Sequence, residues 1–169
     1  AYSFEIYLLN KNFKIHSSKK DKRSKIEFFK EELLLDNNIK MYVSPREYNY
    51  NGKDIYSLGT ITNSKNYVCN ENGYYSSFFS DRYGFNNPDN IWDENDIEYL
   101  LIGDSFVLGS CVNRPHDFAS VLRDITNKNV LNLGLGGAGP LIEYAAFKEY
   151  YFGNVKNILW FYYEGNDLV

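Results

Sequence analysis

The stretch that decides the fold is Tyr99-Leu100-Leu101-Ile102-Gly103-Asp104-Ser105-Phe106. Its short, continuous apolar run predicts a strand that is buried on both faces, and Gly103 permits a sharp exit from that strand. Asp104 and Ser105 then lie at the C-terminal end of the strand, which is where open α/β sheets bind ligands. Ser105 is therefore a candidate nucleophile. The alternative is that Asp104 and Ser105 only cap the next helix.

Two later stretches repeat this pattern. Val130-Leu131-Asn132-Leu133 predicts a second buried strand, which leads into Gly134-Leu135-Gly136-Gly137-Ala138-Gly139. Asn157-Ile158-Leu159-Trp160-Phe161-Tyr162-Tyr163 predicts a third, which leads into Glu164-Gly165-Asn166-Asp167. Because helical segments separate the strands, we expect a parallel sheet with right-handed crossovers and all three polar clusters at one edge.

The helical segments between the strands are predicted from their apolar spacing. Pro115-His116-Asp117 begins the first, whose apolar face is predicted to consist of Phe118, Val121, Leu122 and Ile125. Pro140 begins the second. Its inner face is predicted to consist of Leu141, Tyr144, Ala145, Phe147 and Tyr151.

The first 96 residues have a less regular pattern. Ser24-Lys25-Ile26-Glu27 is a capping-box sequence, which predicts a helix over about 25–35 with Ile26, Phe29 and Leu33 on its apolar side. From Met41 to Phe79, glycines interrupt short β-prone pieces and predict loops and small strands. We expect residues 1–96 to form an irregular α+β extension. This extension packs on an α/β domain, of which residues 97–169 are the first part.

The polar clusters resemble the sequence blocks of the SGNH (GDSL-type) hydrolase family. The first block matches Gly103-Asp104-Ser105, the second supplies Gly137, and the third matches Gly165-Asn166-Asp167. The resemblance covers roughly 97–169. A turn-rich leader, Ser80 to Asp89, is similar to one found in a subset of bacterial envelope-associated members. The resemblance implies a truncated three-layer α/β fold with a parallel, flavodoxin-like sheet.

The same resemblance implies a serine esterase or an O-acyltransferase acting on acyl groups of a glycan or small ester. Ser105 would be the nucleophile, and Gly137 and Asn166 would complete an oxyanion hole with the Ser105 backbone N–H. The residues expected to support them are Gly103, Asp104 and Gly165. It implies no cofactor, metal or nucleic acid. It suggests a place in the cell envelope or periplasm, with membrane association through a segment outside this chain.

The last block of the family, an Asp and a His close together, has no counterpart here. The two histidines are His16, in a polar stretch, and His116, at a predicted helix start. Neither is favoured as the catalytic base. We therefore expect the base and the triad acid to lie downstream, so that this chain carries half of an active site and is inactive by itself.

Two other functions remain open. Gly134-x-Gly136-x-x-Gly139 matches the dinucleotide-binding fingerprint. Against it, the motif follows the second predicted strand, and Pro140 removes a donor from the helix N-terminus that would hold a pyrophosphate. Glu164 also comes late for a ribose ligand. The other alternative is a non-catalytic envelope protein that keeps the fold and binds a glycan.

Composition narrows the possible partners. The chain has 169 residues and a net charge of −4, which gives no electrostatic footprint for nucleic acid. Its 16 Tyr and 12 Phe suit either carbohydrate stacking or core filling, and core filling is the favoured interpretation. Cys69 and Cys111 could form a disulfide if the chain is exported, or remain two buried thiols, which sequence alone slightly favours.

Overall fold

The computed structural model describes residues 20–165. Its first helix is α1 (Lys25–Leu35), and Ser24 caps it with a reciprocal capping box: the Ser24 hydroxyl accepts from the Glu27 N–H, and the Glu27 carboxylate accepts from the Ser24 N–H. The predicted bounds are confirmed, because the capping box is a local signal.

The predicted apolar face of α1 is wrong. Phe28 is the buried residue of the helix, whereas Ile26 is 67% exposed. Phe28 packs in a small cluster with Ile39 and Tyr67, and Phe29 lies at the margin of that cluster. Since α1 contacts only this small cluster, most of its apolar side chains remain in solvent.

Two small sheets follow α1, as expected for this region. The strands β1 (Ile39–Met41), β4 (Lys65–Tyr67) and β5 (Ser77–Phe79) form one sheet, in which β1 is parallel to β4 and β4 is antiparallel to β5. The strands β2 (Glu47–Tyr50) and β3 (Lys53–Tyr56) form a separate antiparallel hairpin.

The main sheet has the predicted topology. Its centre is β6 (Ile97–Ile102), which pairs in parallel with β7 (Val130–Asn132) on one side and with β8 (Val155–Trp160) on the other. A 3₁₀ turn (Asp89–Asp93) precedes β6, and the elements between the three strands are α2 (Ser105–Leu108), α3 (Phe118–Thr126) and α4 (Pro140–Tyr150). The order strand, helix, strand, helix, strand is thus confirmed.

Helices cover both faces of β6. Leu100 packs in one core cluster with Ala146 of α4, and Leu101 packs in another with Ala119 of α3. Successive residues of a strand point to opposite faces, so these clusters lie on opposite sides of the sheet. The described chain is therefore a mixed α/β structure with a parallel three-stranded sheet.

The predicted helix faces are confirmed in part: Leu122 of α3 and Phe147 of α4 pack against the two core clusters. In α3 the fully buried residue is Ala119, while Phe118 and Ile125 are exposed; in α4 Ala146 is buried and Leu141 is exposed. The fully buried apolar residue of each helix is thus an alanine, and the larger apolar residues beside it are partly buried or exposed.

The prediction that the third strand is buried is wrong. In β8, Ile158 and Trp160 are 45% and 47% exposed, and Lys156 and Asn157 are also exposed. Among the described residues β8 pairs only with β6. It is thus an edge strand, and its apolar residues lack the second neighbour that the prediction assumed.

Candidate functional site

The ends of the three parallel strands meet at one edge of the sheet. Backbone hydrogen bonds continue past the strands: the Leu135 N–H donates to the Gly103 carbonyl at 3.0 Å, and the Phe161 N–H donates to the Ile102 carbonyl at 2.8 Å. The turn that carries Ser105 therefore lies between the glycine loop after β7 and the segment after β8.

Ser105 is the first residue of α2 and is half-buried. Asp104, which is buried, is the N-cap of this helix, and its carboxylate accepts from the Phe106 N–H at 2.9 Å. The capping alternative therefore applies to Asp104. Ser105 lies inside the helix, so its hydroxyl is not the N-cap group.

Two buried amides hold the other end of α2. The Asn86 side chain donates to the Leu108 carbonyl, and the Asn132 side chain donates to the Val107 carbonyl, both at 2.8 Å. The last carbonyls of a helix have no partner within it, so these bonds satisfy groups that burial would otherwise penalise. Asn132 also accepts from the Gly134 N–H at 2.7 Å. One side chain thereby joins the Ser105 helix to the glycine loop.

The Asn87 side chain forms hydrogen bonds that hold Asn132 in place. Its amide nitrogen donates to the Asn132 carbonyl and to Asp81, and its amide oxygen accepts from the Asn132 N–H and from Arg123, each at 2.9 Å. Burial raises the pKa of Asp81, although hydrogen bonds from Asn87 and Trp92 oppose that shift. Burial lowers the pKa of Arg123 to about 10.

This buried network was not predicted from the sequence. The leader from Ser80 to Asp89 was identified only as turn-rich, and its role in supporting the site depends on contacts such as Asn87 to Asn132, 45 residues apart. One local feature could have indicated it. Asn132 is a polar residue within an otherwise apolar strand, and a buried polar group needs hydrogen-bond partners.

The glycine loop is close-packed at one end and open at the other. A Cβ at Gly134 would lie 2.3 Å from the backbone nitrogen of Leu108, so only glycine allows α2 to approach. Gly137 is exposed and has a φ of +79°, and a Cβ there would lie 3.0 Å from the Ser44 hydroxyl oxygen. Gly137 is thus brought to the same edge as Ser105, with its backbone at the surface.

Tyr42 also covers this loop. Its hydroxyl donates to the Gly136 carbonyl at 3.2 Å, and burial raises its pKa. The two residues are 94 positions apart, and neither carries a sequence feature that indicates the contact. The N-terminal part of the described chain therefore forms one wall of the candidate site.

Aromatic rings form the opposite wall. Phe106, the residue after Ser105, is exposed, and its ring meets that of Tyr163 edge to face with centroids 5.4 Å apart. Phe161 packs in the same way on Phe118, at 4.7 Å. Gly165 is exposed nearby in the chain, and Asn166 lies outside the described residues. The structure therefore describes two of the three proposed oxyanion donors.

The two histidines differ in whether the structure describes them. His116 is exposed in the loop before α3, and its backbone N–H donates to the Asn113 carbonyl at 2.9 Å. His16 lies outside the described residues. Residues 20–165 contain no cluster of three or more His, Cys, Asp or Glu side chains able to hold a metal ion. They also contain no helix long and apolar enough to cross a membrane.

Cys69 and Cys111 form a disulfide, with Cα atoms 5.5 Å apart. The structure thus has the bridge rather than the two free thiols that the sequence slightly favoured. Cys111 lies in the loop that leaves α2, and Asn72 donates to its carbonyl at 2.7 Å. The Ser76 hydroxyl also donates to the Ser110 carbonyl. The loop after the Ser105 helix is therefore tied to the segment between β4 and β5.

The fold defines the chain as a mixed α/β protein with its candidate site at the C-terminal edge of a parallel sheet. Comparisons with protein-family models, curated proteins and solved structures find no match.

Proposed function

We propose that the complete protein is a serine-dependent acyl-ester hydrolase or O-acyltransferase of the SGNH type. The observation that carries the proposal is the pairing of two loops at one sheet edge. The Ser105 turn and the Gly137 loop are joined by the bond from Leu135 to Gly103 and by the Asn132 bridge. This pairing brings a hydroxyl nucleophile and an exposed glycine backbone to the same edge.

In the proposed reaction the Ser105 hydroxyl oxygen attacks the ester carbonyl carbon, and its proton passes to a base outside residues 20–165. The carbonyl π electrons move to the oxygen, which accepts hydrogen bonds from the Ser105 and Gly137 N–H groups and the Asn166 amide. Removing one such donor costs about 3–4 kcal/mol in studied enzymes. When the carbonyl re-forms, the C–O bond to the alcohol breaks and the base returns the proton to the leaving oxygen.

The acyl-enzyme can be resolved in two ways. Water gives hydrolysis, and a sugar hydroxyl gives acyl transfer; both attack the same Ser105 ester with the same base. The Cys69–Cys111 disulfide supports a location in the cell envelope or periplasm, because disulfides persist in oxidising compartments. The proposed substrate for both reactions is an acylated glycan or a small ester.

The packing of the glycine loop disfavours dinucleotide binding. Gly134 contacts the α2 backbone, and Tyr42 covers the Gly136 carbonyl. These glycines therefore have roles inside the protein, and Pro140 still removes one donor from the N-terminus of α4.

Fluorophosphonate labelling of the complete protein tests the proposal. We expect covalent labelling that Ser105→Ala abolishes and that Ser110→Ala, two residues after the end of α2, leaves unchanged. Equal labelling of Ser105→Ala would place the nucleophile elsewhere. A folded wild-type protein that is never labelled would favour the non-catalytic glycan-binding alternative, and retention on a nucleotide resin would favour the dinucleotide alternative.

A further inference from the structure

The β2–β3 hairpin has no partner among the described residues. All of its strand residues are exposed, and β2 and β3 pair only with each other. The register places Tyr48 opposite Ile55 and Tyr50 opposite Lys53, so these four residues share one face. Tyr50 is 66% exposed. An isolated hairpin is marginally stable in water, so an exposed aromatic face on one points to a binding role.

The base of the hairpin is anchored at the rim of the candidate site. The Ser57 N–H donates to the Arg46 carbonyl at 2.9 Å and closes the hairpin. Just before it, Ser44 lies against Gly137. The Thr60 hydroxyl, just after it, accepts from the Val43 N–H at 3.0 Å. The exposed hairpin therefore extends from the position where the proposed oxyanion donor lies.

The net charge of the hairpin argues against a strongly charged partner. Over the whole hairpin Arg46 and Lys53 are balanced by Glu47 and Asp54. Lys53 is the one charged strand residue on the face of Tyr48 and Tyr50, whereas Glu47 and Asp54 lie on the opposite face, where Asp54 accepts from the Asn49 side chain at 2.8 Å. Nucleic acid and anionic lipid surfaces both require an excess of positive charge, which the hairpin lacks.

The small size of the face that carries Tyr48 and Tyr50 argues against a protein partner, and its chemistry favours a sugar chain. Four side chains are far fewer than the roughly 20–30 residues a side of a stable protein interface. Tyr48 and Tyr50 are two residues apart on one strand, which spaces their rings about 7 Å along it. Tyrosine combines an apolar ring with a polar hydroxyl, and a neutral sugar ring likewise has an apolar C–H face and hydroxyl edges.

We propose that the face formed by Tyr48, Tyr50 and Ile55 binds a neutral glycan chain, one sugar of which carries the acyl group to Ser105. This inference rests on the proposed function and makes its substrate a polymer. The hairpin holds the chain, and the reaction takes place at the base of the hairpin.

Native gel electrophoresis through O-acetylated xylan tests the inference on the complete protein. We expect the polymer to retard the wild type and Tyr48→Val/Tyr50→Val to raise the apparent Kd about tenfold. Valine keeps the strand propensity while removing the rings. The matched control is Tyr56→Val on the opposite face of the hairpin, and we expect its retardation to equal that of the wild type.

Hydrolysis of 4-nitrophenyl acetate is measured beside the gels. We expect the same rate in all three proteins, since the small ester does not need the hairpin. Retardation without any Ser105-dependent hydrolysis would remove the proposed function and leave the glycan site. An unretarded wild type would overturn the inference, as would equal losses in both variants. So would wild-type self-association in sedimentation velocity that the double variant abolishes, because the occupant would then be a second copy.

Discussion

The two sides of β6 differ sharply. On the β7 side Val130, Leu131 and Asn132 are all buried. The Asn132 amide joins the strand to the Ser105 helix, and the Asn87 amide bonds to the backbone N–H and carbonyl of Asn132. On the β8 side most residues are exposed and the following segment is aromatic and open. The described chain therefore supports Ser105 and the glycine loop, which carry two of the three proposed oxyanion donors, through buried hydrogen bonds. The third proposed donor, Asn166, follows the less supported strand.

Replacing one amide on each side of β6 should show the largest difference in stability between the two sides. Asn87→Ala removes four hydrogen bonds, three of them buried, and leaves Asn132 backbone groups unsatisfied, so we expect a loss of about 4 kcal/mol in the free energy of unfolding. Asn157→Ala removes two exposed bonds, to the carbonyl and the carboxylate of Glu98, and should cost at most about 0.5 kcal/mol. Urea unfolding measures both. Equal losses would mean that the two sides are supported alike.

Loss of the disulfide should have the next largest effect on stability. Cys69→Ala/Cys111→Ala opens a loop whose ends are 42 residues apart, so we expect a loss of about 3 kcal/mol in the free energy of unfolding. Thermal unfolding of the oxidised wild type and the variant gives the difference. Two titratable thiols in wild type prepared under oxidising conditions would contradict the bridge.

Tyr42→Phe should have a smaller effect than the loss of the disulfide, and its effect should depend on pH. Tyr42→Phe removes the bond to the Gly136 carbonyl, so we expect a loss of about 1 kcal/mol in the free energy of unfolding near neutral pH. Burial raises the pKa of Tyr42. Its protonated form thus stabilises the fold below the unfolded pKa of about 10, and that contribution is lost as pH rises towards the native value.

Urea unfolding at about pH 8 and about pH 11 checks this sign. The wild type should lose more stability than Tyr42→Phe between the two values, because only the wild type has the buried hydroxyl. An equal loss in both proteins would show that Tyr42 is not buried against the glycine loop.

The sequence predicted those features that depend on neighbouring residues. The capping box gave the bounds of α1, and the apolar runs gave three adjacent parallel strands. It predicted Leu122 and Phe147 on the sheet-facing sides of their helices but missed the buried Ala119 and Ala146, because a small side chain adds little to an apolar pattern. The exposure of β8 depends on its neighbours in the sheet rather than on its own residues.

The same limit applies to the candidate site. Ser105 was predicted from a strand end and Gly137 from the family resemblance, and the structure brings both to one edge. The contacts that support them join residues far apart in sequence, as in Asn87 with Asn132 and Tyr42 with Gly136. Local periodicity carries no information about such pairs.

The most direct test of Ser105 as the nucleophile is mass-spectrometric peptide mapping of the complete protein quenched during turnover of 4-nitrophenyl acetate. We expect an acetyl group on the peptide that contains Ser105, and neither acetylation of that peptide nor turnover in Ser105→Ala. An acetyl group confined to another peptide, or undiminished turnover by Ser105→Ala, would contradict the proposed mechanism.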